Sequence, residues 1–285
     1  MSVRLEHEVA VASTSLAAFP DLQSENDGIL GALAAHRLHV SIQEWGDRDV
    51  DWKRFAVVLV RTTWDYPQRL PEFLNWLDDL DQSGAQVLNP TQLIRWNYRK
   101  TYLLDLEEAG VPIVPISLVQ SGRTVTAPSS QIVVKPVIGV GSAGVFRLGA
   151  DQSHVVEVDS LVSPFIRSIH DGEMSVFVIG GDAVLSVLKV PSATDWRVQP
   201  QYGGTYKVVS SDPAASLVAA NAALAVRTAA GLDEIPAYLR VDLLRSSYGW
   251  LVLEVEAIEP SLYCAQSPAA VNQLASLVRQ RMGLA

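Results

Sequence analysis

Apolar runs and amphipathic stretches alternate from Glu8 to about Gly110, the pattern of an open α/β sheet. Residues 9–19 read as a first strand running into a loop. Residues 27–37 carry Ile29, Leu30, Leu33 and Ala34 at helical spacing, and 40–45 return as a strand. The unbroken FAVVLV of residues 55–60 is the signature of a strand buried on both faces. Pro71 opens a helix with Phe73, Leu74, Trp76, Leu77 and Leu80 as its stripe, and Gly84 is its stop signal. Residues 86–88 form a short strand, and 100–108 a helix that ends at Gly110 and Pro112.

Beyond that point the character changes to strands with glycine-rich connections. Residues 113–119, 131–135, 145–148, 173–179 and 183–190 read as strands, the last two joined by Gly180, Gly181 and Asp182. Residues 214–230 form an alanine-rich helix. Residues 238–244 and 250–258 make a hairpin around a five-residue turn, and 267–282 close the chain as a helix. The main boundary falls near 90–100, which divides the chain into 1–95, 96–180 and 181–285.

Composition narrows the class of function. The 285 residues are 48% hydrophobic and 19% charged, ordinary for a globular protein. A net charge of -9 repels phosphate backbones, so nucleic acid is not an expected partner. The single cysteine, Cys264, forms no internal disulfide, and a reducing, cytoplasmic location is expected. Residues 9–19 do not read as a signal segment, because Glu6 and Glu8 precede them and Ser13, Thr14 and Ser15 interrupt them. No stretch reaches the ~20 apolar residues of a membrane span, so no membrane partner is expected.

Candidate chemistry is richest in the last hairpin, YLRVDLL and WLVLEVEAIEP. Side chains alternate across a strand, so Arg240 and Asp242 share a face, as do Glu254 and Glu256. Pairing Leu244 with Trp250 would set Arg240 opposite Glu254 and bring all four to one side. Val241, Leu243, Leu253, Val255 and Ala257 would then form the apolar side, with Val252 among the acids. Three crowded carboxylates call for a cation, and hard oxygen ligands select Mg²⁺ or Mn²⁺; a solvated hairpin face is the alternative. In QIVVKPVIGVGSAGVFRL, Gly139, Gly141 and Gly144 spell G-x-G-x-x-G, yet residues 145–148 read as a strand where a dinucleotide turn opens a helix. What remains is Lys135 on a strand before a loop of small residues whose amides suit phosphate oxygens. His7, His36, His39, His154 and His170 show no ligand spacing, and neither Ser261 nor Cys264 has a histidine base nearby in sequence. Trp64 and Asp65, after a buried strand, are positioned to line a substrate cleft or simply to pack.

In this order the chain resembles the ATP-grasp superfamily. The matching elements are Lys100 ahead of a helix, Val134-Lys135-Pro136 before the glycine loop, the hinge-like Val162-Ser163-Pro164-Phe165-Ile166, Glu173 opening a strand, and RVD followed by LEVE. Within the superfamily, Arg61-Thr-Thr-Trp64-Asp65-Tyr66 and Glu259-Pro-Ser261 look most like the small ligases that close O-ureidoserine into cycloserine; glutamate ligases and glutathione synthetases are more distant. The resemblance implies an α/β N-terminal domain plus an α+β ATP-grasp fold of two lobes enclosing ATP. It implies Lys100, Lys135 and the loop residues Gly139, Gly141, Ser142 and Gly144 at the phosphates. Ser163, Phe165, Ile166 and Glu173 would lie around the nucleotide, and Asp242, Glu254 and Glu256 would hold the metal. Arg240 would face the transferred phosphoryl group, and Arg197 is a candidate because Asp195-Trp-Arg197 before Gly203-Gly204 is similar to a stretch that carries substrate-phosphate contacts in these relatives. Arg61, Trp64, Asp65, Glu259 and Ser261 would face the substrate. Two departures stand out: Glu256 where relatives often have Asn, and Ser163 where Gln or Glu is frequent.

The expected activity is ATP-dependent ligation of a small carboxylate and an amine through an acyl phosphate, releasing ADP and phosphate. An intramolecular nitrogen would give a ring. Alternatives are an intermolecular amino acid or peptide ligase, a nucleotide-binding protein without turnover, and a nicotinamide oxidoreductase. A homodimer is compatible with the sequence.

Overall fold

A computed structural model describes residues 8–264 and 266–284; Glu6 and His7 lie outside the described residues. The N-terminal unit contains β1 (Glu8–Ser13), α1 (Gln23–Ala35), β2 (His39–Glu44), β3 (Val57–Thr62), α2 (Leu70–Ser83) and β4 (Gln86–Leu88). Its strands run parallel in the order β2-β1-β3-β4. Parallel strands are covered on both faces, and the alternation along β1 and β3 assigns the cover. Ala10, Ala12, Val58 and Val60 pack on Phe73, Trp76, Leu77 and Leu80 of α2. Val9, Val11, Val57 and Leu59 turn toward Ile29 and Leu33 of α1. Gly84 ends α2 at φ 69°, a left-handed cap that glycine adopts without a Cβ penalty.

Two short helices, α3 (Thr91–Asn97) and α4 (Tyr102–Glu108), lead into the middle of the chain. There follow β5 (Ser117–Val119), β6 (Thr124–Thr126), β7 (Ile132–Pro136), β8 (Phe146–Leu148), β9 (Ser153–Val155) and β10 (Ser160–Pro164). An antiparallel sheet of order β5-β10-β7-β8 and a β6-β9 ribbon enclose a small core of Val125, Ile132, Val134 and Leu148. The rest comprises β11 (Glu173–Ile179), β12 (Asp182–Val190), β13 (Thr205–Val209), α5 (Pro213–Ala229), β14 (Tyr238–Ser246), β15 (Gly249–Glu256) and α6 (Pro268–Arg281). The sheet order β13-β12-β11-β14-β15 is antiparallel throughout. Because β11 and β12 are neighbours in this sheet, the division expected at residue 180 runs between two paired strands.

The five-stranded sheet carries two different faces. Met174, Val176, Val178, Leu239, Val241 and Leu243 form one continuous apolar face against Ala215, Ala219, Ala222 and Val226 of α5. On the other face, Phe177, Ile179 and Tyr238 join α6 and the N-terminal sheet in a common core. Farther along those strands the same face carries Glu173, Ser175, Lys189, Arg240 and Asp242, all buried. Period-two alternation therefore concentrates buried charge at one end of one face.

Side chains from the first hundred residues stitch to this sheet. Asn89 donates to the carbonyls of Tyr238 (2.7 Å) and Ala257 (2.9 Å) and accepts from the amide of Ala237 (2.8 Å). Asn97 donates to the Val255 carbonyl and accepts from the Ala257 amide, each at 2.9 Å. The Tyr238 hydroxyl donates to the Val60 carbonyl in the N-terminal sheet.

Several elements differ from expectation. Of the strand expected over 113–119, only Ser117–Val119 forms a strand; Ile113 makes an isolated parallel bridge to Val252, and Pro115, lacking an amide donor, separates the two. The helix at Lys100 begins at Tyr102, leaving Lys100 in the preceding turn. Much of the hinge-like 162–166 is the end of β10. No helix among the described residues is long and apolar enough to cross a membrane.

Candidate active site

The charged end of the sheet opens into a cleft of about 410 Å³, whose other walls are β7, β10, the glycine loop and residues from the N-terminal unit. That volume lies within the ~300–1,000 Å³ of small-molecule sites. Hairpin β14–β15 supplies its floor. The observed register pairs Arg240 with Glu256 and Asp242 with Glu254, not Arg240 with Glu254. Both strands continue past the expected ends, so Ser246 pairs with Gly249 and the turn has two residues instead of five. A register shift between Asp242 and Leu243 then inserts one extra residue in β15, a β-bulge. The expected sides of Val252 and Leu253 are reversed as a result: Val252 enters the core and Leu253 faces the cleft. Strict alternation cannot anticipate a bulge, yet all four charged side chains still share the cleft side.

Every acid on this floor except Glu259 meets a cation. Arg240 donates to both oxygens of Asp242, Nε to Oδ1 at 2.9 Å and Nη2 to Oδ2 at 2.8 Å, and Nη2 also reaches Glu256. Asp242 Oδ1 further accepts from Ser175 (2.5 Å) and Lys189 (3.2 Å), and Lys189 donates to Glu173 at 2.8 Å. Lys100 bridges Glu254 and the Gly139 carbonyl, the latter at 2.9 Å. Lys135 donates to the Leu253 carbonyl at 3.2 Å, so the residue exposed by the bulge receives the lysine of the facing strand.

These contacts set the protonation states. Burial opposes the charge of Asp242, but Arg240 and Lys189 outweigh it and hold the carboxyl well below its usual range. Burial likewise opposes the Lys100 ammonium, and Glu254 more than offsets it, leaving Lys100 raised. Burial lowers Lys135, for which Glu254 compensates only in part. Glu256 is pushed up to about 7 by burial, because Asp242 takes most of the Arg240 guanidinium. Glu259 is pushed up to about 8 by burial and the charge of Glu256.

The glycine loop joins two antiparallel strands, β7 and β8, consistent with the argument against a dinucleotide turn. Gly139, Gly141 and Ser142 border the cleft, whereas Gly144, at φ 70°, lies outside its wall with Pro136 Cγ 3.0 Å from where a Cβ would stand. Ser163, Phe165, Ile166 and Glu173 line the cleft, and the Phe165 ring meets Trp196 edge-on at 5.7 Å. Arg197 also lines it, in an ion pair with Asp195 (2.7 Å) and over the Tyr202 ring (3.5 Å). Gly204 admits no side chain, since a Cβ would stand 1.9 Å from the Val198 carbonyl oxygen. In the same loop Gln201 donates to the Gly141 carbonyl at 3.1 Å, linking it to the glycine loop.

Trp64, Glu259 and Ser261 border the cleft; Arg61 and Asp65 do not. Arg61 is buried, donating to the Pro260 carbonyl at 2.5 Å, and Asp65 accepts from Trp45 (2.7 Å) and pairs with Arg69 (3.0 Å). Sequence reasoning missed Lys189. Its signal was a lysine at a position where the strand LSVLKV otherwise sends apolar side chains inward. Glu25, Tyr206 and Tyr263 also line the cleft and carried no local motif.

Residues 99–257 match the profile of the ATP-grasp domain, more than half of the chain. The chain belongs to the ATP-grasp family. Residues 9–89 match the N-terminal domain of D-cycloserine synthetase DcsG. The cycloserine biosynthesis protein DcsG of Streptomyces lavendulae is 28% identical over 282 residues, covering 89% of this chain and 92% of that one. A crystal structure of D-cycloserine synthetase DcsG superposes with a TM-score of 0.81 at 25% identity, covering 96% and 99%. A glutathione synthetase of Ralstonia nicotianae is 30% identical over 142 residues, 46% of this chain and 44% of that one. This ATP-grasp protein is therefore an ATP-dependent ligase, of a family in which ADP and phosphate are the typical products and a divalent metal ion is generally used. Membership sets aside the readings without turnover or with a nicotinamide cofactor.

Among the described residues, no three acidic, histidine or cysteine side chains converge as a ready-made metal cage, because the acids turn onto Arg240, Lys100 and Lys189. The donor chemistry nevertheless fits a hard cation: Glu254 and Glu256 each spend one oxygen on a cation, and neither second oxygen accepts a hydrogen bond among the described residues.

Proposed function

We propose that the chain is a carboxylate–amine ligase acting through an acyl phosphate on a small amino acid derivative, and that its nitrogen nucleophile lies within the same molecule, so that the product is a ring. The observation that carries this reading is the sorting of charge in one cleft. Lys100 and Lys135 stand beside the glycine loop, with Arg240, Asp242, Glu254 and Glu256 facing them from the hairpin. Such an arrangement suits phosphoryl transfer, which proceeds through positioning and charge stabilisation and requires no hydride acceptor.

On this reading Lys100 and Lys135 hold ATP phosphates, and the small residues at Gly139, Gly141 and Ser142 let the loop approach them. Ser163, Phe165 and Ile166 flank the base. Asp242, Glu254 and Glu256 would hold Mg²⁺ or Mn²⁺, which screens the triphosphate charge when bound. A substrate carboxylate attacks the γ-phosphorus, and Arg240, with Arg197 of the cleft lining, steadies the charge on the transferred group. The nitrogen then displaces phosphate from the acyl carbon. Trp64, Glu259 and Ser261 form the substrate end. The proposed lobes are close to residues 1–95, 96–180 and 181–285, except that β11 belongs by its pairing to the sheet of the last.

The full-length similarity to a cycloserine biosynthesis protein makes O-ureidoserine the first substrate to test. With ATP and Mg²⁺ it should yield ADP, phosphate and a cyclic product by mass spectrometry. An ¹⁸O-labelled carboxylate should pass one label into phosphate. Label in AMP would establish an adenylate and overturn the reading, while a linear product with an added amine would establish the intermolecular ligase.

A further inference from the structure

The segment 259–262 follows β15, leaves the metal-facing hairpin, and is held from three directions by the N-terminal unit. Trp64 Nε1 donates to the Glu259 carbonyl at 3.0 Å, and Arg61 Nη2 donates to the Pro260 carbonyl at 2.5 Å. Glu25 of α1 accepts from the Ser261 hydroxyl (2.8 Å) and the Leu262 amide (3.0 Å). Three hydrogen bonds to the backbone and one from the Ser261 hydroxyl thus fix the segment on which one carboxylate is mounted. That carboxylate, on Glu259, is buried, lines the cleft, and makes no ion pair or hydrogen bond among the described residues. Asp242, Glu254, Glu256 and Glu173 all face cations instead.

A buried carboxylate held rigidly and left without a partner is unfavourable unless something else donates to it. We infer that Glu259 is the catalytic base of the second half-reaction, accepting the proton of the attacking nitrogen, and that Trp64, Arg61 and Glu25 are its positioning residues. The inference rests on the ligase reading above. In the step, the nitrogen's N–H bond breaks and the proton moves to a Glu259 oxygen. The nitrogen electron pair forms the bond to the acyl carbon, the carbon–oxygen bond of the acyl phosphate breaks, and phosphate leaves with that electron pair. Glu259 returns its proton to water before the next turnover.

The groups that face Glu259 electrostatically are Glu254 and Glu256 of β15, Lys100 ahead of α4, Arg240 of β14, and the hydroxyls of Tyr66 and Tyr238. Burial and Glu256 raise its affinity for a proton, which suits a base working near neutral pH. The N-terminal unit thereby gains a role in the chemistry and not only in packing.

The test compares two fates of one activated carboxylate. O-ureidoserine, ATP and Mg²⁺ are supplied with and without hydroxylamine, which is already neutral at pH 7 and needs little help from a base. Glu259→Gln should lower the ratio of cyclic product to hydroxamate by about 10²–10⁴-fold, the usual worth of a general base. Trp64→Phe should lower the same ratio less, with an unchanged circular dichroism spectrum and melting temperature. An unchanged ratio in Glu259→Gln overturns the assignment. A second arm needs no substrate: the carboxyl ¹³C signal that disappears in Glu259→Gln should titrate near neutral or alkaline pH. Titration in the ordinary carboxylate range would overturn the assignment whatever the enzyme ligates, and a wild type inert to O-ureidoserine would count against that substrate alone.

Discussion

Asp242 is the acid on which the buried network converges, and removing its charge should unbalance the fold before it affects chemistry. Asp242→Asn keeps the shape but leaves Lys189 and Arg240 as neighbouring buried cations, with Glu173 and Glu256 as their remaining acids. The new amide also presents a donor to a guanidinium that was itself donating. Removing one partner of a buried ion pair typically costs about 3–5 kcal/mol, since the other charge stays desolvated. With an unfolding entropy of ~2.1 cal/mol/K per residue, the 285-residue chain has about 0.6 kcal/mol/K at its midpoint. The expected loss in Tm is therefore about 5–8 °C. The sign of its pH dependence follows from the depressed carboxyl of Asp242. A carboxylate lowered in the native state contributes fully above its unfolded value, ~3.9, and the contribution is lost as pH falls toward the native value. The deficit should thus shrink in acid, and shrink also as pH rises past neutral, where loss of the Asp242 charge lets Glu256 ionise more easily beside Arg240. Adding Lys189→Met should recover at least ~1 kcal/mol, a coupling typical of direct contacts. Differential scanning calorimetry measures both. A Tm within about 1 °C of wild type, or a double variant no better than the sum of the singles, would refute the reasoning.

Glu254→Gln and Glu256→Gln should each raise the Mg²⁺ concentration for half-maximal ADP release by at least ~10-fold, and unchanged Mg²⁺ dependence would remove them from the metal site. Lys135→Ala should weaken ATP binding about 10–100-fold by calorimetry, the worth of ~1.5–3 kcal/mol for a bond to a charged group. Glu259 is raised to about 8, so its neutral form is favoured in the folded chain and its penalty grows as pH rises from the unfolded value, ~4.3, toward 8. Glu259→Gln should accordingly raise Tm more at pH 8 than at pH 5.5; an equal change at both would show that Glu259 is not desolvated.

The long elements were legible because their patterns repeat. Residues 173–179 alternate between a cleft-and-core face and an α5 face, and a strand could be read there to the residue. The short strands β6 and β9 were not legible, since TVT and SHV are largely exposed and carry no apolar run, whereas the equally short β4 continues a buried α/β pattern. In the site, Asp242, Glu254 and Glu256 announced themselves as acids in otherwise apolar strands. Their partners were another matter. The bulge at Leu253 changed who faces whom without leaving a glycine or proline to mark it. Lys189 meets Glu173 and Asp242 through pairings 16 and 53 residues apart, which sequence spacing does not encode. Arg61 and Asp65 stood in a motif that suggested the substrate, but their side chains serve the backbone at Pro260 and the Trp45 indole.

The stitching by Asn89 bears on how such ligases can be recombined. The matched segments 9–89 and 99–257 invite a graft at the gap between them, exchanging the N-terminal unit to change specificity. Asn89 sits at the edge of that junction, with donors and acceptor committed to Ala237, Tyr238 and Ala257. The Tyr238 hydroxyl commits in return to Val60. A chimera cut at residue 90 therefore inherits one half of two reciprocal locks. Viable exchanges should carry Asn89 and Tyr238 together, since the groups they meet at positions 60, 237 and 257 are backbone atoms whose placement, not side chain, must be kept.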